Sequence, residues 1–434
     1  MNVTLYDLPL TAADAGGAQQ LERAMESYLG ARADTPQILQ QTLAADPGHL
    51  MARCMMGYLS RLAGDPRNSA NARALHAALA DTVADGVCSD WERGHVEALG
   101  LWLADDLEHL MRHFEALLGR YPTDPLALRM LHYLYFYAGD GRRMRDSVAR
   151  KLSYYPEDHP FAGYVRGMLA FGLEEAGEYD KAERYAREAV DLNSRDLWAA
   201  HAMAHVLQMQ GRTEEGIEWI DALRPNWLDA NNFRNHLYWH QSLYFLSRDE
   251  FERVLDIYDR EVGPAVADDF YLDMCNATSL LLRLQARGQD VGERWTALAA
   301  VAERHVEDRE LVFASLHHLM PLLVTGNPAA AELLAALEGW AGEAGDQASV
   351  VREVALDVAG FLVAVQQGDH QRALQLFDAF RYRLYRIGGS HAQRELFDVV
   401  ALHTAERGGA ARWAEEFRAE RRIAQARAAA IRNV

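Results

Sequence analysis

The fold of this chain is decided by residues 169–192, which read LAFGLEEAGEYDKAERYAREAVDL. Apolar and alanine residues recur here every three or four positions, which is the spacing of one buried face on a helix. Gly177 interrupts the pattern in the middle, and Ala182, Ala186 and Ala189 follow it. Small residues beside a glycine turn allow two antiparallel helices to pack closely. The segment therefore predicts a helical hairpin.

The hairpin pattern recurs along the chain with a period of 34 residues. Pro122 and Pro156 lie 34 residues apart, and so do Gly177 and Gly211. This period resembles the tetratricopeptide repeat, a pair of helices that buries its apolar face only by stacking on neighbours. No strand-like alternation is sustained for long. We therefore predict an all-α fold, a tetratricopeptide-repeat-like right-handed α-solenoid of stacked helical hairpins.

The solenoid is expected to be continuous, because no linker rich in proline, glycine and serine divides the chain. Residues 1–434 then form one superhelix. Residues 1–100 hold less regular N-terminal repeats, and residues 101–410 hold the tetratricopeptide-like repeats. Residues 411–434 are rich in Arg, Glu and Ala and are expected to form a C-terminal capping helix. An end of the solenoid left uncapped would favour a homodimer.

Composition excludes several classes of partner. The 434 residues include 63 acidic and 44 basic side chains, a formal net charge of −19, which argues against nucleic acid and against an anionic membrane surface. No apolar run reaches the length of a membrane span. The three cysteines lack C-x-x-C spacing and support neither a disulfide framework nor a cysteine zinc site. Because the first 30 residues show no signal-peptide pattern, a cytoplasmic protein is expected.

Two histidine pairs are the main candidates for chemistry: His201/His205 and His236/His240. Side chains four residues apart share one face of a helix, and both pairs fall on first helices of adjacent repeats, which line the concave surface. His317 has a similar position further along the chain. Imidazoles bind divalent transition metals and act as general acids or bases, so the four residues are candidate catalytic groups and, with His317, candidate metal ligands. Coincidence is the alternative, because the chain has 17 histidines.

Further polar and aromatic residues complete a predicted pocket. Tryptophan offers apolar area and a hydrogen-bond donor, as small-molecule sites need. Asp273 and Arg283 are candidates for a buried ion pair or for a clamp on a ligand carboxylate. The sequence Gly388-Gly389-Ser390 precedes a helix whose free N–H groups would attract an anion. The candidate substrate-binding residues are Trp198, Arg212, Asn235, Trp239, Asp273, Arg283, His391, Gln393 and Arg394.

Three motifs carry a resemblance to a known family. They are residues 196–212 (DLWAAHAMAHVLQMQGR), residues 235–240 (NHLYWH) and residues 388–394 (GGSHAQR). These motifs resemble the tetratricopeptide repeat protein 38 family, which includes StaR-like bacterial proteins. The resemblance implies a helical-repeat fold and an intracellular protein, and it assigns no reaction. Gln208, where the family often has an acidic residue, and Glu395, where it usually has aspartate, depart from the pattern.

Two functions are compatible with these observations. In the first, a histidine-rich concave pocket binds a small polar molecule and in one version transforms it, with a divalent transition metal as cofactor. In the second, the chain is a non-enzymatic scaffold that binds a peptide or a partner protein in its groove. The positions of the imidazole nitrogens decide between them, because scattered rings would leave only the scaffold.

Overall fold

The computed structural model describes residues 2–12 and 15–430 and is built almost entirely of helices. Consecutive helices pack as antiparallel hairpins, and the hairpins stack on one another, so the predicted all-α solenoid is confirmed. The one sheet among the described residues is an N-terminal hairpin of β1 (Asn2–Leu5) and β2 (Leu8–Thr11), which the sequence analysis did not predict.

The helices are labelled α1 to α24 in chain order. The first twelve span Ala15–Leu29, Thr35–Ala45, Leu50–Leu62, Pro66–Ala84, Asp90–Leu103, Leu107–Arg120, Pro125–Tyr137, Gly141–Ala149, Ala162–Glu175, Tyr179–Leu192, Leu197–Met209 and Thr213–Leu223. The second twelve span Phe233–Ser247, Phe251–Ile257, Gly263–Ala265, Tyr271–Ala286, Arg294–Ala302, Val312–Val324, Ala329–Ala341, Asp346–Val350, Leu356–Gln367, His370–Phe380, His391–Arg407 and Ala411–Ala430. Turns of π-helix at Tyr258–Val262 and Val351–Ala355 join α14 to α15 and α20 to α21. Short 3-10 segments occupy Leu152–Tyr154, Arg224–Trp227, Val266–Asp268, Glu303–His305 and Arg381–Ile387.

The three central hairpins, α9/α10, α11/α12 and α13/α14, follow the predicted period. Each first helix ends at a residue with a positive φ: Gly177 at 80°, Gly211 at 68° and Asp249 at 57°. Glycine adopts this left-handed conformation without strain, and aspartate tolerates it better than most side chains do. The turns predicted from these residues are confirmed.

First and second helices form an inner and an outer layer. In α11 nearly every residue between Leu197 and Leu207 is buried, whereas α10 buries only a stripe that includes Ala182, Ala186 and Ala189. A helix that is apolar on all sides belongs inside, and one with a single apolar face belongs at the surface. The inner layer is therefore where the candidate histidines lie.

The superhelix closes on itself instead of remaining an open groove. Arg61 of α3 forms a buried ion pair with Glu310, which precedes α18. The starts of α6 and α20 exchange caps: Asp346 Oδ2 accepts from the Leu107 N–H at 2.6 Å, and Asp105 Oδ2 accepts from the Gln347 N–H at 2.9 Å. Contacts between elements so far apart in sequence enclose the inner layer.

The C-terminal helix covers the last hairpin. Trp413 and Phe417 of α24 pack on Phe377 of α22, at ring distances of 5.8 and 5.4 Å. Of the predicted capping helix, residues 431–434 lie outside the described part of the chain. Among the described helices, none combines the length and the apolar character needed to cross a membrane.

Candidate functional site

Four imidazoles converge at the centre of the inner layer. His201 and His205 come from α11, and His236 and His240 come from α13; all four are almost completely buried. One ring nitrogen of each lies within 4.8 Å of the corresponding nitrogens of the others. The ring centroids of His205 and His240 are only 4.3 Å apart. The two pairs thus face each other across one repeat and form a single group, called here the histidine cluster.

Neighbouring side chains fix how the rings of the histidine cluster are oriented. His236 Nδ1 donates to Asn276 Oδ1 at 2.8 Å, and His240 Nδ1 donates to Gln208 Oε1 at 2.9 Å. Because Nδ1 carries the proton in a neutral ring that donates from it, Nε2 keeps its lone pair. Both rings are therefore held in the tautomer that can ligate a metal through Nε2.

Two adjacent glutamates of α9 stand beside the histidine cluster in different protonation states. Glu174 is fully buried, 3.7 Å from His205 Nδ1; burial and the charge of Glu175 raise its pKa well above the usual range. Burial alone would also raise the pKa of Glu175, but His391 and Arg394 lower it to about 2. The pair thus offers a neutral carboxyl group next to His205 and an ionised one facing α23.

All four rings of the histidine cluster are neutral at physiological pH. Burial lowers the pKa of His205 to about 3 and that of His236 to about 4. Burial, followed by the charges of the other rings, lowers the pKa values of His201 and His240 well below the usual range. Neutral imidazole is the form that binds metals, and a group with so low a pKa is a poor acid or base at pH 7.

The geometry of the histidine cluster fits a metal better than it fits hydrogen bonding alone. His201 Nε2 and His205 Nε2 are 2.9 Å apart, so one donates to the other. His240 Nε2 and His201 Nδ1 are buried without a hydrogen-bond partner among the described residues. Ligand nitrogens of a tetrahedral zinc site are about 3.4 Å apart, given Zn–N distances of 2.0–2.1 Å. Four neutral nitrogens within 4.8 Å are close to that arrangement.

A cavity of about 430 Å³ adjoins the histidine cluster. His201, His205 and His236 line its wall, and His240 lies behind them. Its mouth is at the exposed residues Ala33 and Asn231, where two loops pair. The rest of the wall is mainly aromatic: Tyr28, Tyr133, Phe136, Tyr137, Trp198, Phe233, Phe270 and Tyr271. This volume and lining are typical of a small-molecule site.

No family model matches the chain. Among solved structures, the one of Naa15/Naa10 bound to HypK-THB is similar over 93% of this chain and 64% of that chain, with 14% sequence identity and a TM-score of 0.26. The chain thus spans slightly less than two thirds of the length of that protein. A similarity this weak assigns neither a partner nor an activity to the present chain.

Several of the predicted binding residues surround the histidine cluster. Trp198 lines the cavity, with its ring 5.1 Å from that of His201. Trp239 stacks on His236 at 4.9 Å and 11° from the back. Asn235 donates to Asp273 Oδ1 at 3.0 Å and so ties α13 to α16. Of these residues, Trp198 can touch a ligand, while the other two support the ring of His236 and its helix.

Other predicted residues lie elsewhere. His317 is not part of the histidine cluster, because its Nδ1 bonds the Phe313 carbonyl of its own helix at 2.8 Å. Arg212 belongs to an ion-pair network with Glu183 and Glu215.

The two charged residues predicted on α16 are not paired with each other. Arg283 instead donates to the Ala392 carbonyl at 2.7 Å and pairs with Glu395. Asp273 accepts from Asn235 and Asn232. Both side chains therefore hold helices together, and neither lines the cavity.

The helix start predicted to attract an anion is occupied by a carboxylate of the protein itself. Ser390 and Gln393 form a reciprocal capping box at the start of α23. Glu175 accepts from the His391 N–H at 3.0 Å and pairs with the side chains of His391 and Arg394. This motif fastens α23 to α9 in place of the expected ligand. Only Gln393 of its polar residues, with Ser390, also borders the cavity.

Sequence reasoning missed the residues that orient the rings. Glu174 and Gln208 are one 34-residue period apart, and each faces the second histidine of the next first helix. The repeat period was the signal that could have found them. Arg129, His132 and Tyr28 in the cavity wall were missed as well, because nothing near them in sequence marks them.

Proposed function

We propose that the protein binds one divalent transition metal ion through His201, His205, His236 and His240 and presents it to a small-molecule ligand in the adjoining cavity. The observation that carries this proposal is the position of the four neutral imidazoles, with three of them in the cavity wall. Such an ion acts as a Lewis acid toward a bound oxygen atom. Imidazole ligands suit zinc, cobalt, nickel, copper and iron.

The enclosed cavity favours a small molecule over an extended peptide. Its volume of about 430 Å³ lies within the range of sites for ligands of drug size. A peptide-binding solenoid needs a long concave surface, and here closing contacts such as Arg61 with Glu310 bring the two halves together. We further propose that the chain belongs to the tetratricopeptide repeat protein 38 family, on the three motifs quoted above.

Metal binding is tested on tag-free protein that has been stripped with a chelator and dialysed. We expect titration with Co²⁺ to give about one bound equivalent and the strong visible absorption of a four-coordinate site. His205→Gln should abolish this absorption. The matched control His109→Gln alters an exposed histidine and should leave it unchanged. Circular dichroism checks that both variants are folded.

A second variant tests the site without removing a ligand. Gln208→Leu deletes the acceptor for His240 Nδ1, and loss of such a supporting hydrogen bond weakens metal binding about 10–100-fold. Gln41→Leu, at an exposed position, is its control. Folded wild-type protein that binds no cobalt would refute the metal site. Unchanged cobalt affinity in both His205→Gln and Gln208→Leu would also refute it.

A further inference from the structure

Arg129 of α7 places a cation in the wall of the cavity, one indole ring away from the histidine cluster. Its guanidinium lies 3.7 Å from the centroid of the Trp198 ring, and the opposite neighbour of Trp198 is His201 at 5.1 Å. Stacking on tryptophan holds the planar guanidinium in one orientation. Arg129 is therefore a fixed group of the cavity.

No carboxylate of the described residues lies within ion-pair distance of Arg129. Its hydrogen-bond partner is the Tyr28 hydroxyl, and Asp196 acts on it only from a longer range. Asp196 is engaged at the start of α11, where Oδ1 accepts from the Trp198 and Ala199 N–H groups. By contrast, Arg32, the other arginine of the cavity wall, is paired with Asp229. A cation removed from water without a counter-charge is costly unless an anion joins it.

His132 adds a second polar group at the same end of the cavity. It is one helical turn from Arg129, completely buried, and neither ring nitrogen has a hydrogen-bond partner among the described residues. Burial, and then the charge of Arg129, lower the pKa of His132 well below its usual range, so the ring is neutral. A neutral imidazole in the cavity wall can donate one hydrogen bond to a ligand.

We infer that the cavity binds a small monocarboxylic acid with an apolar body. Its carboxylate lies on the Arg129 guanidinium and the Tyr28 hydroxyl, within reach of His132. Its body lies against the aromatic wall that leads to the histidine cluster. A guanidinium pairs with a carboxylate through two parallel hydrogen bonds. A single unpaired cation among aromatic rings balances one negative charge better than the two of a phosphate monoester. This ligand class rests on the proposed function, because the cavity is the same small-molecule site.

The test uses the full chain and three probe acids: benzoate, phenylacetate and 3-phenylpropionate. Binding is followed by titration calorimetry, and each acid is compared with its uncharged amide. We expect at least one acid to bind about tenfold or more tightly than its amide, since a charge-assisted hydrogen bond in a buried site contributes that much. Arg129→Gln should remove this preference. Arg120→Gln, at an exposed position just before α7, should keep it.

A second variant guards against misfolding of Arg129→Gln. Tyr28→Phe keeps the ring and removes the hydroxyl that contacts Arg129, and we expect a loss of a few-fold in acid affinity. The inference is overturned if none of the acids binds, if amides bind equally well, or if phenyl phosphate binds more tightly than every acid. Retention of the acid preference in folded Arg129→Gln would overturn it too.

The same titrations separate this inference from the proposed metal site. They are run on chelator-stripped protein and on cobalt-loaded protein. Acid binding that depends on Arg129 in a protein that takes up no cobalt would uphold the ligand class and refute the metal. Stoichiometric cobalt binding without any preference for acids would do the reverse.

Discussion

At the scale of single residues, the histidine cluster shows how a buried imidazole is given a defined role by one partner atom. Asn276 and Gln208 fix the tautomers of His236 and His240 through Nδ1. Glu174 occupies the corresponding place beside His205 Nδ1. Each of these partners comes from a neighbouring inner helix, so the rings are oriented across repeats and not within one helix.

His305, far from the histidine cluster in sequence, shows the opposite electrostatic behaviour. Its Nδ1 lies 2.7 Å from Asp308, and its Nε2 lies 2.8 Å from Asp269. Burial alone would lower the pKa of His305, but the two carboxylates raise it. His318, stacked on it at 4.6 Å, has a pKa lowered by burial to about 3 and stays neutral. His305 is therefore the protonated member of this stacked pair.

A raised pKa in the folded state means that protonated His305 stabilises the fold below its unfolded pKa of about 6.5, and that this stabilisation is lost as pH rises through the folded pKa. We expect His305→Gln to lower the free energy of unfolding at pH 6 by about 1–3 kcal/mol, the value of hydrogen bonds to a charged group. The deficit relative to wild type should shrink at pH 9. Urea denaturation at both values measures it, with His109→Gln as the exposed control. An equal deficit at pH 6 and pH 9 would contradict the assignment.

The histidines themselves could be found in the sequence, because spacing within a helix and the 34-residue period are both visible there. What faces a ring from another helix could not. Arg283 was expected to clamp a ligand and instead holds the Ala392 carbonyl, more than 100 residues away in sequence. The anion expected at His391 is Glu175, which is equally remote. Side-chain pairing across repeats depends on how the superhelix closes, and no local pattern encodes that.

At the scale of elements, the start of α23 depends on two consecutive glycines. Gly388 and Gly389 have φ values of 84° and 79°, a region that side chains other than glycine rarely adopt. A Cβ added at Gly389 would lie 2.5 Å from Phe313 Cε2 on α18. The loop thus needs glycine for its backbone angle and also for the close approach of a neighbouring helix.

Gly389→Ala and Gly177→Ala separate these two requirements. Gly177 has nearly the same φ, 80°, but a Cβ there meets no described atom within 4 Å. We expect Gly177→Ala to cost about 1–2 kcal/mol, the strain of a left-handed residue. Gly389→Ala should cost about 1–3 kcal/mol more, because Phe313 must move. Urea denaturation of both variants measures the difference, and equal losses would show that the contact is irrelevant.

The elements were predicted well where helices repeat and poorly at the N-terminus. Strands β1 and β2 have four residues each, joined by Tyr6 and Asp7 at positive φ. So short an alternation carries little signal on its own. The strands form because Leu5, Leu8 and Leu10 are buried against the first helices, which is a tertiary effect.

At the scale of the whole molecule, the exchange of caps between α6 and α20 joins the two halves. Asp346 Oδ2 accepts from the N–H groups of Leu107 and Glu108, at 2.6 and 3.0 Å. It therefore does for α6 what an N-cap residue ordinarily does for its own helix. In a simple solenoid each repeat contacts only its neighbours, and this contact breaks that rule.

Asp346→Ala should therefore loosen a helix that is more than 200 residues away in sequence. We expect a loss of about 0.5–2 kcal/mol and faster amide hydrogen exchange at the start of α6. Asp369→Ala is the matched control, because Asp369 caps only its own helix α22 through the Arg372 N–H at 3.0 Å. Its effect should be confined to α22. Unaltered exchange in α6 of the Asp346 variant would show that the halves are held by other contacts.

The exchanged caps also fix how many hairpins the chain can contain. Asp105 and Asp346 meet only because the hairpins between them turn the chain through the right angle. Adding or deleting one hairpin would displace a helix start by about 10 Å, the spacing of packed helices, and would break both caps. Open solenoids gain and lose repeats freely during evolution. A relative of this chain with a different repeat number would have to replace the acidic residues at both positions.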